Sequence, residues 1–168
     1  IMIAGVTAKL ENKTWDKQRM AETLRMLHRE FPQCQMIFNY APGKEEENAR
    51  EIWHMLGADK DIHMDIQAKS PRQLAAMASL STFYFGNEGG ARHIVHAMQR
   101  PSFVICSPIA SKRTWLPEDD EIPTEGISPA DIIDAASLRD MDAEARYDAV
   151  TVGIVYPRLL AFCKKLGI

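Results

Sequence analysis

Apolar residues along the chain alternate between two rhythms. Ile1, Met2, Ile3, Ala4, Gly5 and Val6 form a short continuous run closed by polar residues, as in a strand covered on both faces. After a loop over residues 7–15, Met20, Leu24, Leu27 and Phe31 recur at helical spacing, and Pro32 stands where that helix must stop. Met36, Ile37 and Phe38 predict a second strand, and Ala49, Ile52, Trp53 and Leu56 a second helix ending at Gly57. A third strand is expected within residues 62–66, where apolar positions alternate with charged ones. Ser70 is a natural N-cap, with Pro71 at the first helical position and Leu74, Met77 and Ala78 on the apolar face. Residues 82–85 then read as a strand, 89–99 as a turn plus helix, and 101–106 as another strand.

Beyond Ser107 the pattern loosens. Pro108, Pro117, Pro123 and Pro129, with an acidic run over residues 118–121, predict a solvated surface excursion. Val152, Val155, Leu159, Phe162 and Leu166 restore helical spacing, with Pro157 as a kink or a helix start, so a C-terminal helix should pack on the sheet. Strands alternating with helices imply an α/β fold, a Rossmann-like, doubly wound parallel sheet.

At 168 residues the chain suits a single domain, 1–168, and its opening inside a strand suggests a domain cut from a longer protein. A composition of 46% hydrophobic and 26% charged residues excludes disorder and fibrous repeats. The net charge of -3 is spread over mixed signs, which argues against a nucleic-acid partner, so any anion site must be local. Cys34, Cys106 and Cys163 are odd in number and far apart, unlike a disulfide framework or zinc site, and suit a reducing cytoplasm. No apolar run approaches a membrane span.

In open α/β sheets ligands bind beyond the carboxyl ends of the strands, where the strand order reverses, which directs attention to the loops after the first and fourth strands. The fourth runs into Gly86, Asn87, Glu88, Gly89, Gly90, Ala91, Arg92 and His93, with an apolar helix behind. Paired glycines allow close backbone approach, and a helix start offers free N–H groups and a favourable dipole, so this is a candidate diphosphate cradle. It reads equally as a glycine turn joining strand to helix, since the dinucleotide pattern GxGxxG is absent. Lys13, in the first loop, is either a cation for that site or an exposed surface lysine. His28, His54 and His63 have no partner at metal-ligand spacing, and His93 with His96 lacks nearby acidic or cysteine ligands, so neither a metal nor a cofactor is expected.

Segment 85–101 resembles the signature of glycosyltransferase family 9, a strand followed by Asn-Asp-Ser/Thr-Gly-Pro-x-His and an Ala-containing helix that ends before Pro. In the same order, Lys13 and Trp15 resemble that family's Lys-x-Trp element, residues 70–78 its Ser-Leu-x-x-Leu-Ala helix, and Trp115 with Pro117 its late Trp-x-Pro. The resemblance spans about residues 1–117. It implies the C-terminal half of a GT-B enzyme, holding a nucleotide-sugar donor, commonly ADP-heptose, for inverting transfer in lipopolysaccharide core synthesis. A cytoplasmic setting at the inner face of the inner membrane goes with that reading.

By the resemblance, Asn87, Glu88, Gly89 and Gly90 face the donor's phosphates and sugar, His93 supports that turn, and Lys13 neutralises the diphosphate. Glu45 stands where the family places an acidic ribose contact, and the backbone of Ala68 and Lys69 borders the base. The family's general base belongs to an N-terminal acceptor-binding domain, the missing partner here, so no catalytic residue is assigned and the fragment alone is expected to be inactive. Glu88 replaces the usual Asp, Gly89 the usual Ser or Thr, and Ala91 the usual Pro. These departures keep open a non-catalytic nucleotide-binding or interaction module and, more remotely, a sugar-nucleotide epimerase on the same fold.

Overall fold

The computed structural model describes residues 1–117 and 121–168, so most of the acidic run at 118–121 lies outside the described residues. The strands are β1 (Met2–Gly5), β2 (Met36–Phe38), β3 (Ile62–His63), β4 (Phe83–Asn87), β5 (Ser102–Ile105) and β6 (Thr124–Ile127). They form one parallel sheet in the order β3-β2-β1-β4-β5-β6. The helices are α1 (Lys17–Glu30), α2 (Lys44–Met55), α3 (Pro71–Ser79), α4 (Gly90–Ala97), α5 (Lys112–Trp115), α6 (Ala135–Asp140), α7 (Ala143–Asp148) and α8 (Val152–Lys165).

Side-chain alternation along the strands divides the core into two layers. Met2, Ala4, Phe83, Phe85, Phe103 and Ile105 pack with the apolar faces of α1, α2 and α8. Ile3 and Tyr84 point the other way, onto Leu74 and Ala78 of α3 and Val95 of α4. Phe162 of α8 meets Phe83 and Phe103 edge-on, with ring centroids 6.4 and 5.8 Å apart, so the C-terminal helix does close over the sheet. Pro157 lies inside α8 rather than at its start. Ser70 caps α3 by accepting the N–H of Gln73, with Pro71 in the first turn as expected.

Two expectations need correction. The third strand covers only Ile62 and His63; beyond it, the Met64 carbonyl accepts the Tyr40 hydroxyl (2.8 Å), a side-chain bond replacing further ladder pairing. The stretch after Ser107 is no mere solvated excursion, because it contains α5 and the edge strand β6. Thr124, Glu125 and Gly126 carry no apolar run, and a side chain at Gly126 would stand 2.6 Å from Leu116 Cδ1 and 2.9 Å from the Val104 carbonyl. Close approach thus selected a glycine where a sequence reading expects a turn.

Strand order reverses between β1 and β4, which separates α1 and α2 on one face from α3 and α4 on the other. The two strands pair at Gly5 and Gly86, where a Cβ on Gly86 (φ +154) would lie 2.3 Å from the Gly5 carbonyl oxygen. A ligand crevice is expected at this point.

Candidate functional site

A cleft of ≈ 760 Å³ opens at the carboxyl ends of β1, β2 and β4. This volume suits a ligand the size of a nucleotide. Lys13, Asn87, Glu88, Gly89, Gly90, Glu45, Ala68 and Lys69 all line it. Residues from four separate stretches of sequence therefore share one cavity.

The glycine turn divides into residues that hold the fold and residues that border space. Asn87 is buried, its Oδ1 accepting the Trp15 N–H (2.8 Å) and its Nδ2 donating to the Gly5 carbonyl (3.0 Å). Its side chain thereby ties the β1 and β4 loops together. The Tyr84 hydroxyl donates to the Asn87 carbonyl (2.7 Å), and burial pushes the Tyr84 phenol well above its ordinary pKa, so it remains a donor. Gly89 and Gly90 differ from Gly86: a Cβ at either would meet nothing within 4 Å, and Gly89 has ordinary extended backbone. The fold does not demand glycine at either position. Gly89 also brings no side-chain cap to α4, so its first-turn N–H groups are not closed off by one.

Lys13 and Glu88 form a partly buried pair, with Nζ donating to Oε1 at 3.0 Å. Glu88 is only 6% exposed, and its Oε2 accepts the Ser107 N–H (3.0 Å). The carboxylate brackets Lys13 to the loop after β5. An ammonium has three donors, so this bond leaves two for another acceptor. The Lys13 backbone is also fixed, since its carbonyl accepts the Tyr147 hydroxyl (3.1 Å), and Nζ lies 5.9 Å from the centre of the Trp115 ring. Lys13 is therefore held in place rather than being a mobile cation.

The other expected residues separate. Glu45 Oε2 accepts the Thr7 hydroxyl (3.1 Å) and the Ala41 N–H (3.3 Å), fixing the loop at the mouth of the cleft. Lys69 donates its backbone N–H to Gln73 Oε1 (2.7 Å) beside Ala68. His93 stands outside the cleft, edge-on to Trp115 at 5.7 Å, with Nδ1 accepting from Arg92 (2.9 Å). Partial burial and the Arg92 guanidinium lower its pKa, so at neutral pH it offers no positive charge. Sequence reading missed Asn39, Tyr40, Gln67 and Tyr84 in the walls, and the bracing parts played by Ser107 and Tyr147. The Ser107 contribution is a backbone N–H, for which no sequence signal exists.

His28 does have acidic neighbours, contrary to its reading from spacing. The fold brings it to Asp59 and Asp61, with Nε2 to Oδ2 distances of 3.6 and 3.8 Å.

No protein-family model matches the chain. Over 113 residues it is 31% identical to lipopolysaccharide heptosyltransferase 1 of Campylobacter coli, covering 67% of this chain and 33% of that protein. Its fold matches E. coli heptosyltransferase WaaC, solved with ADP-2-deoxy-2-fluoro heptose, at a TM-score of 0.69 and 11% identity over 95% of this chain and 42% of WaaC. It also matches a glycosyl transferase family 9 protein from Veillonella parvula at 0.68 and 12% identity, over 99% of this chain and 45% of that one. The chain spans about a third of its curated relative and under half of each solved structure. The six-stranded parallel sheet with its flanking helices is an α/β fold shared with part of each of these structures. In sequence the chain is similar to part of a lipopolysaccharide heptosyltransferase, and in fold to part of the solved heptosyltransferase and glycosyl transferase family 9 structures.

Proposed function

We propose that this domain binds the nucleoside diphosphate portion of a nucleotide-sugar, serving as the donor half of an inverting heptosyltransferase-like enzyme. The observation that carries this reading is the convergence of Lys13 with the glycine start of α4 at the switch point of the sheet. The first-turn N–H groups and dipole of α4 favour an anion, and Lys13 keeps two donors for it. During transfer an acceptor oxygen forms a bond to the anomeric carbon as the bond to the diphosphate oxygen breaks, and negative charge grows on the leaving phosphate. Donors already fixed in place stabilise that charge without reorganising. Glu88 fixes the ammonium from behind, while Glu45 is placed to receive ribose hydroxyls and the backbone at Ala68 and Lys69 to border the base.

The relatives favour an adenine nucleotide and a heptose, because WaaC is solved with ADP-2-deoxy-2-fluoro heptose. In this reading the acceptor site and the general base belong to a separate acceptor-binding domain. Calorimetric titration with ADP, UDP and GDP in the presence of chelator is the test. Binding of ADP without metal is expected, and no binding of any of the three at millimolar ligand would remove the donor-site reading.

A further inference from the structure

Away from the cleft, three side chains with metal-binding atoms meet. His28 lies in the last turn of α1, and Asp59 and Asp61 in the turn that enters β3. One ligand atom from each falls within 4.8 Å of the other two. Nε2 of His28 is 3.6 Å from Asp59 Oδ2 and 3.8 Å from Asp61 Oδ2, too long for hydrogen bonds. These separations lie close to the edge of a tetrahedron, about 3.3 Å, around an ion with bonds of about 2.0 to 2.1 Å.

The remaining oxygens are engaged in ways that orient this set. Asp59 Oδ1 accepts the Asp61 N–H (2.9 Å), and Asp61 Oδ1 accepts Gln35 Nε2 (2.9 Å). Gln35 Oε1 in turn meets His63 Nε2 at 2.7 Å. Gln35 and His63 therefore stand behind Asp61 as outer-shell groups stand behind a metal-binding carboxylate.

We propose that His28, Asp59 and Asp61 form a site for a divalent transition metal of the zinc class, independent of the nucleotide cleft. An imidazole among the donors favours zinc over magnesium or calcium, which prefer oxygen-only shells. With three protein ligands, water completes the coordination, so chelator removes the ion. Binding staples the end of α1 to the turn before β3, stiffening the sheet edge.

The test uses the full chain stripped with chelator, titrated with Zn2+ by calorimetry and with Co2+ by visible absorption. One Zn2+ per chain, a raised melting temperature and no comparable response to Mg2+ are expected. His28→Ala should abolish uptake, Asp59→Asn and Asp61→Asn should each weaken it, and Gln35→Leu should weaken it by about 10- to 100-fold. Cys34→Ser should leave it unchanged, showing that no thiol is recruited. Circular dichroism in chelator checks that each variant is folded. Absence of Zn2+ uptake, or uptake unchanged in both His28→Ala and Asp59→Asn, overturns the proposal. Because the nucleotide titrations are run in chelator, failure of this site leaves the donor reading intact, and the reverse also holds.

Discussion

With Glu88 buried and both its oxygens engaged, removing the Lys13 ammonium would leave a carboxylate out of water with one backbone N–H for a partner. Lys13→Ala is therefore expected to weaken nucleoside diphosphate binding by about 1.5 to 3 kcal/mol and also to destabilise the fold by about 1 to 3 kcal/mol. Lys13→Ala combined with Glu88→Gln should recover much of the stability but not the affinity. Urea denaturation and calorimetry on the two variants separate these effects, and equal affinity for wild type and Lys13→Ala would take Lys13 out of the site. The glycines divide differently. A side chain at Gly89 or Gly90 projects into open space, so Gly90→Val should fold normally yet bind worse than Gly89→Ser, whose hydroxyl can hold or improve affinity. Titrating both variants with ADP checks the ranking, and the reverse order would contradict a cradle at this turn. That Lys13, Glu88 and the glycines border one cleft was legible because each lies within a local motif. Asn87 was legible as a position but not as a brace, because its partners Trp15 and Gly5 lie 72 and 82 residues away in sequence.

At the scale of elements, the cleft depends on β1 and β4 being held in register beside the loop that carries Lys13. Asn87→Ala leaves the Trp15 N–H and the Gly5 carbonyl without their buried partner, and at about 1 to 3 kcal/mol each the loss should reach about 2 to 6 kcal/mol. Denaturant unfolding measures it; a loss under about 0.5 kcal/mol would show that the two loops hold without this bridge. Helix α3 was legible to its cap because Ser70 and Pro71 act on adjacent backbone. Helices α6 and α7 were not, although Asp134 and Asp142 do cap them, because the short segments between carry little periodic apolar pattern. Strand β6 escaped for a related reason: an edge strand beside Leu116 and Val104 can be built on Thr124, Glu125 and Gly126 without an apolar run. His28 and its two aspartates were missed because spacing along one segment cannot reveal a cluster made by α1 and the turn before β3.

For the whole molecule, the proposed donor site by itself accounts for binding but not for turnover. Holding reactants in register is worth about 7 to 11 kcal/mol, and a positioned base about 10² to 10⁴-fold in rate. The chain alone should therefore produce no glycosylated acceptor when incubated with ADP-heptose and a lipopolysaccharide core; multiple turnovers seen by mass spectrometry would make Glu88 the first residue to replace. If phosphates sit between Lys13 and the start of α4, adding ADP to the 19.0 kDa protein in chelator should shift the backbone amides that surround them, and NMR reads those shifts residue by residue. The largest changes are expected at the Gly89, Gly90 and Ala91 amides and in the Lys13 loop, with α8 and the His28 cluster unmoved. Shifts centred elsewhere, or a glycine turn that does not respond at saturating ADP, would contradict it.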